Sequence, residues 1–315
     1  MTSSEHKRWC AFFASTARRL LLLLTALVLS LSAGTGCAVG ADTGPAPVYH
    51  RIVSLSPLIT ENIFLLGAGD SLVGTTFYCQ RPQAARHTEK VGSVMDLSIE
   101  KVISLRPDLI LASNLTPLPQ VAKLERLGFQ VETFGQPASF AEICTHFLRL
   151  GRLLGLEEQA ELIVEQTTNK VRNIQRAVAG LPRQKVFLQV GAHPLFSSVK
   201  NSFTHDFIEL AGGMNIAGDQ RSGAIKTEKV IALDPDVIII AVMGSELGGL
   251  GAEQLQKWNT YTSIKAARNG RVHVVDPDLV CSPSPTTFAD TLVAIAALIH
   301  PHLVKAEIEK SSASL

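Results

Sequence analysis

The sequence predicts an α/β protein with two similar lobes, each built on a parallel sheet, joined by one long α-helix, with a ligand cleft between the lobes. Three observations carry this expectation. The element EKVISLRPDLI at Glu100–Ile110 returns as EKVIALDPDVI at Glu228–Ile238, with eight of eleven positions identical. Each copy leads into an apolar, β-branched run (LILAS and VIIIAV), as suits strands covered on both faces in parallel sheets. Between the halves, Leu156–Pro182 carries apolar Leu162, Ile163, Val171, Ile174 and Val178 near helical spacing, with no Pro or Gly before Gly180.

The first forty residues are of another kind. HKRW and a pair of arginines ending at Arg19 precede the apolar run Leu20–Ala33. As a helix that run would extend about 21 Å, short of a bilayer core of about 30 Å, so the segment is expected to be a secretory signal. Two exits are open. Thr35-Gly36-Cys37 resembles the lipobox of bacterial lipoproteins, which implies lipidation of Cys37, although Gly34 stands where a Leu is usual. Alternatively, Ala38 and Gly40 suit cleavage by ordinary signal peptidase after Gly40. The expected organisation is signal peptide and tether start over 1–40, linker 41–50, first lobe 51–155, connecting helix 156–182, second lobe 183–303 and tail 304–315.

Within each half the order is the same. RIVSLSP is a strand and turn, followed by a helix ending FLLGAGDSLVG; KVFLQVG is a strand, and FIELAGGMNIAG later closes a helix in the same way. Glu-Lys and the apolar positions Val102, Ile103 and Leu105 make a short amphipathic helix that Pro107 stops.

Composition sets further bounds. The chain is 46% hydrophobic and 18% charged, with a net charge of +1, so a globular core is expected and a nucleic-acid partner is not. Of five cysteines, Cys10 leaves with the signal and Cys37 is the candidate lipid site. Three remain for an oxidising compartment, which allows at most one disulfide within the chain. Cys144 falls in a helical pattern as a small apolar residue, leaving Cys79 and Cys281 as the candidate pair. No catalytic signature is present. Gly67–Gly74 lacks the dinucleotide spacing and follows a helix, and there is no nucleophile elbow or P-loop. No H-E-x-x-H or Cys-x-x-Cys argues for an intrinsic metal, and His300 and His302 stand alone near the C-terminus.

The segments RIVSLSP…TENIFLLGAGDSLVGTTFYCQRP, VGSVMDLSIEKVISLRPDLILAS, FTHDFIELAGGMNIA and GRVHVVDPDLVCSPSP occur in an order that resembles one family across Arg51 to Pro301. The chain is similar to periplasmic substrate-binding proteins of the helical-backbone class, the Fe/B12 family that serves ABC importers of cobalamin, ferric siderophores or haem. The resemblance implies a permease dimer as partner, a small metal chelate as bound ligand, no cofactor of its own, and a membrane link only through Cys37. It implies that Glu100 and Glu228 dock one lobe each onto the two-fold transporter, and that Tyr78 is the pocket tyrosine.

Phe196 and Phe203 are candidates for the opposite wall, and Arg81 and Lys200 for pairing with acidic groups of the ligand. Cobalamin-binding relatives often place Trp six residues before each docking glutamate, where this chain has Val94 and Ser222, and SPSPT replaces a loop of RPGPR type. These departures weaken both a pocket that clamps a corrin between indoles and one for anionic siderophores; a corrinoid with amide side chains still fits, and it stands slightly ahead as the first expectation. Haem or a ferric siderophore is the alternative, with Tyr78, His193 or His205 available as axial ligand to haem. A sensor that binds ligand without a transporter is the third possibility.

Overall fold

The two copies of the repeated element fold alike, and their contacts explain why these residues recur. The computed structural model describes residues 49–93, 95–242 and 249–302. The signal segment with Cys37, Val94 and the tail lie outside the described residues. In the first lobe β1 (Ile52–Ser54), β2 (Leu72–Thr75), β3 (Leu109–Ser113) and β4 (Val131–Phe134) form a sheet ordered β2-β1-β3-β4, parallel throughout. In the second, β5 (Gln184–Ala192), β7 (Gly213–Asn215), β8 (Val237–Ile240) and β9 (Val272–Val274) repeat that order as β7-β5-β8-β9, again parallel. The second sheet departs from a wholly parallel one in β6 (Leu195–Ser197), which folds back antiparallel onto the end of β5.

Each copy of the repeat is a short helix, α2 (Ile99–Ser104) or α7 (Thr227–Leu233), leading into the buried strand β3 or β8. The Asp of each Pro-Asp pair ties that strand to its neighbour. Asp108 accepts hydrogen bonds from the backbone N–H of His50 (2.8 Å) and Arg51 (3.0 Å) just ahead of β1. Asp236 accepts one from Lys185 N–H (2.8 Å) at the start of β5. The cation at the head of each first strand then caps the repeated helix. The Arg51 guanidinium donates to the carbonyl of Leu105 (2.7 Å), and Lys185 Nζ donates to that of Leu233 (3.2 Å). Arg106 and Asp234, just before the prolines, are the two non-glycine residues with positive φ (45° and 47°) among those described. A residue preceding Pro is disfavoured in the right-handed helical region, so the helix ends there through a left-handed step.

Helix α5 (Glu157–Val178) connects the lobes and extends about 33 Å. It buries Ala160, Ile163, Thr167, Val171, Ile174 and Val178, and packs against α4 (Phe140–Leu153) and α11 (Pro285–Ile299). The first half of α4 belongs to the second lobe's core as much as to the first. Phe140 stacks on Phe288 (4.7 Å between ring centres), which stacks on Phe207 of α6 (Phe203–Leu210) at 4.1 Å. Ile143 and Cys144 join the same cluster, so the seam between lobes is apolar. Trp258, on α8 (Gly249–Asn259), is buried in the second lobe and donates Nε1–H to Gln189 Oε1 (2.7 Å). It is a core residue, and no indole faces the cleft among the described residues.

Candidate functional site

Between the lobes lies a cavity of about 480 Å³, lined at the carboxyl ends of the strands where open α/β folds receive ligands. The first lobe supplies most of the lining. Ser56 to Ile59 and Asn62 follow β1, at the start of α1 (Pro57–Leu65); Tyr78, Gln80 and Arg81 follow β2; Leu115 follows β3; Gln136 and Pro137 follow β4. The second lobe adds Phe203 and the turn at Asp278–Pro283, which includes the end of α10 (Pro277–Cys281).

Tyr78 is 64% exposed and lines this cavity because its neighbour is held inside. The Cys79 thiol is fully buried, 3.2 Å from the hydroxyls of Thr60 and Thr76. Lys90 fixes the same loop from below, donating to Thr75 Oγ1 (2.9 Å), the Cys79 carbonyl (3.3 Å) and the Ala85 carbonyl (2.8 Å). Burial draws the Lys90 ammonium below the ordinary lysine range, the nearby Cys79 opposing that shift.

The expected Cys79–Cys281 disulfide is not present. Cys79, Cys144 and Cys281 are free thiols, Cys79 committed to the two threonines and Cys281 facing the Ala241 carbonyl at 3.8 Å. Burial, reinforced by Asp278 and Asp276, pushes the Cys281 thiol up to about 12; burial also pushes Cys144 up to about 12, against a bond to Thr168. The thiolate is the reactive form. Alkylation of the native protein by iodoacetamide is therefore expected to be slow and to keep rising with pH at both residues, with no plateau between pH 7 and pH 10, read by peptide mass spectrometry. A rate rising with a midpoint near pH 8.5 at Cys281 would contradict this environment.

Arg81 was expected to meet ligand acids, but its charge has a partner already. Its guanidinium pairs with Glu61 (2.9 Å) and donates to the Ser282 carbonyl (2.9 Å) across the cleft. Glu61 in turn accepts from Thr287 Oγ1 of α11 (2.5 Å), so one half-buried polar bridge ties the lobes. Lys200 is likewise committed, to Asp219 at 2.5 Å. His205 does not line the main cavity, and its Nδ1 lies 3.1 Å from Asn215 Nδ2 inside the second lobe. His193 and Phe196 sit on the β5–β6 hairpin beside a separate depression and do not line the main cavity. Phe196 packs over Gly223, where an added Cβ would fall 2.2 Å from its ring. Ser222 is exposed and outside the cavity lining. Phe203 does line it, at 5% exposure, while packing into the shared core.

Glu100 and Glu228 are both exposed, each in the first turn of its repeated helix, and neither has an ion-pair partner among the described residues. They occupy the same place in the two lobes.

Several lining residues were not singled out in the sequence, among them His146 and Asn62. His146 faces the cavity from α4, edge-on to Phe134 (6.0 Å). Burial holds its imidazole below the usual range, Glu142 opposing and Arg149 adding, which favours the neutral ring at pH 7. Asn62 lies on the apolar stripe of α1 with Ile59, Ile63 and Leu66 and is 4% exposed. Both signals were present as polar residues beside or within a helical apolar stripe. Among the described residues, no three His, Cys, Asp or Glu side chains converge to hold a metal ion.

Comparison with known proteins follows the same outline. Residues 52–279 match the family model described as periplasmic binding protein. The uncharacterized ABC transporter substrate-binding lipoprotein YvrC of Bacillus subtilis is 30% identical over 263 residues, 81% of either chain. A vitamin B12-binding protein of Yersinia pseudotuberculosis is 30% identical over 213 residues, 67% of this chain and 76% of that protein. Among solved structures, a periplasmic heme binding protein from Pseudomonas aeruginosa superposes with a TM-score of 0.74 at 28% identity, covering 81% of this chain and 94% of that one. The periplasmic vitamin B12 binding protein BtuF of Vibrio cholerae gives 0.67 at 25% identity, covering 80% and 96%.

Proposed function

This chain belongs to the periplasmic binding protein family, and on that premise we propose that it is the exported receptor of an ABC importer, carrying a metal chelate in the cleft between its lobes. The chelate of first choice is a corrinoid. The observation that supports it is the charge of the cavity. Among the described lining residues Arg81 is the one Lys or Arg; Glu61 neutralises it, and Asp278 adds a negative charge nearby. A ligand rich in carboxylates would be desolvated there without a compensating cation. A ring bearing amides needs only donors and acceptors, which Asn62, Gln80, Ser56 and Ser113 supply.

The cavity is within the usual size of small-molecule sites, and a macrocycle larger than it would extend onto the rim. There the segments after β2 and β3 expose Phe77, Met95, Leu115 and Leu118. Haem is the second reading, favoured by one observation: Tyr78 and the neutral His146 both line the cavity and are of the types that bind haem iron. The signal segment would deliver the protein outside the cytoplasm, with Cys37 lipidated or the chain cut after Gly40.

The test is co-elution. The chain from Ala38 onward, mixed in turn with cobalamin, cobinamide, haemin and ferric siderophores and then desalted, is expected to retain corrinoid absorbance at one equivalent. Retention of haem or a siderophore alone would move the ligand, and retention of none would favour a sensor of other chemistry.

A further inference from the structure

Two buried polar atoms on the wall of the cleft have no partner. Asn62 Oδ1 and Arg81 Nη1 are both enclosed and unbonded, and both residues line the same cavity. The Asn62 side chain is 4% exposed and sits in α1 among buried Ile59, Thr60 and Ile63. Native proteins rarely leave such groups unpaired, and each one calls for an explanation. Packing does not supply it here, because a leucine would fill the same stripe without an unsatisfied amide. The neighbouring polar groups are otherwise satisfied: Glu61 holds Arg81 and Thr287, and Arg81 Nη2 holds Ser282. What remains open is one amide oxygen and one guanidinium N–H on residues that line the same cavity.

We propose that Asn62 and the free Nη1 of Arg81 form a subsite that reads a primary carboxamide of the ligand. The ligand carbonyl accepts from Arg81 Nη1, and the ligand amide N–H donates to Asn62 Oδ1. A carboxylate in that place would lose its hydration and face a guanidinium whose charge Glu61 already balances. Asn62 is thus a specificity-determining residue whose unpaired state lowers the stability of the empty protein and is relieved by the ligand. The inference rests on the corrinoid reading above and narrows it to rings whose side chains are amides.

The experiment compares cobinamide with cobyrinic acid, one corrin ring with its side chains as amides or as carboxylates, by equilibrium dialysis against the chain from Ala38 onward. The wild type is expected to bind the amide form at least about tenfold more tightly. Asn62→Leu is expected to weaken the amide form about tenfold and leave the acid form unchanged, while raising Tm by about 2 °C because a buried unsatisfied group is gone. That opposite movement of affinity and stability is something a purely structural asparagine would not give. Equal binding of the two rings, or an unchanged amide affinity in Asn62→Leu, overturns the subsite and leaves the corrinoid reading standing. Binding of neither ring by the wild type overturns both.

Discussion

Reversing the charge of both docking candidates, Glu100→Arg with Glu228→Arg, is expected to abolish uptake of the ligand while leaving its affinity for the receptor unchanged. The two carboxylates are exposed, lack ion-pair partners among the described residues, and start helices that occupy equivalent positions in two sheets of the same strand order. A transporter with two-fold symmetry would present the same surface twice, and a receptor with two similar lobes would meet it with one carboxylate from each. A single exposed ion pair contributes only about 0–1 kcal/mol, so removing charge at one site would have a small effect. Two reversals replace two attractions with two repulsions, and like charges across an interface cost several kcal/mol and suppress encounter. Neither residue lines the cleft. Uptake of labelled ligand in cells that depend on this receptor, with dialysis of the purified variant alongside, separates the effects. Normal uptake by the double variant would remove the docking role.

Breaking the polar bridge between the lobes is expected to give the largest loss of stability from a single substitution in the cleft. Arg81→Met leaves Glu61, whose side chain is 14% exposed, with Thr287 as its remaining partner, and removes the bond to Ser282 in the other lobe. Losing one member of a fully buried ion pair costs about 3–5 kcal/mol. Because Arg81 is 26% exposed, water recovers part of that, and about 2 kcal/mol is expected, or about 4–8 °C in Tm. Glu61→Leu should cost a similar amount by leaving the guanidinium unpaired. The pair Arg81→Met with Glu61→Leu should recover most of the loss, since replacing both partners by apolar groups removes the stranded charge. Calorimetry on the two single variants and the double variant gives the coupling directly. Losses that simply add would show that the bridge is not a unit.

The fold was legible because its determinants are local and periodic. The repeated Pro-Asp element carries its own helix stop, a carboxylate that binds the head of the neighbouring strand, and an apolar run that must be covered on both faces. The helix stop and the apolar run act within one supersecondary unit, so writing them twice sets two similar sheets; the carboxylate's bond to a strand 51 to 58 residues earlier follows from that pairing, and the uninterrupted stripe from Ala160 to Val178 sets the helix between them. The placement of Tyr78 in the cleft was also within reach, since it followed from the family's loop order.

Charge and pairing at the site were not legible, because they depend on which side chains meet across lobes. Arg81 and Glu61 stand twenty positions apart, and the partners of that pair, Ser282 and Thr287, belong to the far end of the chain. Nothing in the sequence around Arg81 announces that its charge is cancelled. Cys79 and Cys281 suggested a bridge by count alone, yet the tertiary structure gives Cys79 two hydroxyls inside the first lobe and turns Cys281 toward a carbonyl of the second. Lys200, His205 and Phe196 were offered to a ligand, and the fold places all three away from the lining of the main cavity, beside Asp219, Asn215 and the Gly223 turn. The sequence by itself determined the two lobes, their sheets and the helix that joins them, since backbone periodicity and capping are short-range. The tertiary structure alone decided the character of the cleft, because a hydrogen bond or ion pair exists only where folding brings two distant groups within about 3 Å and leaves others, such as Asn62, without a partner.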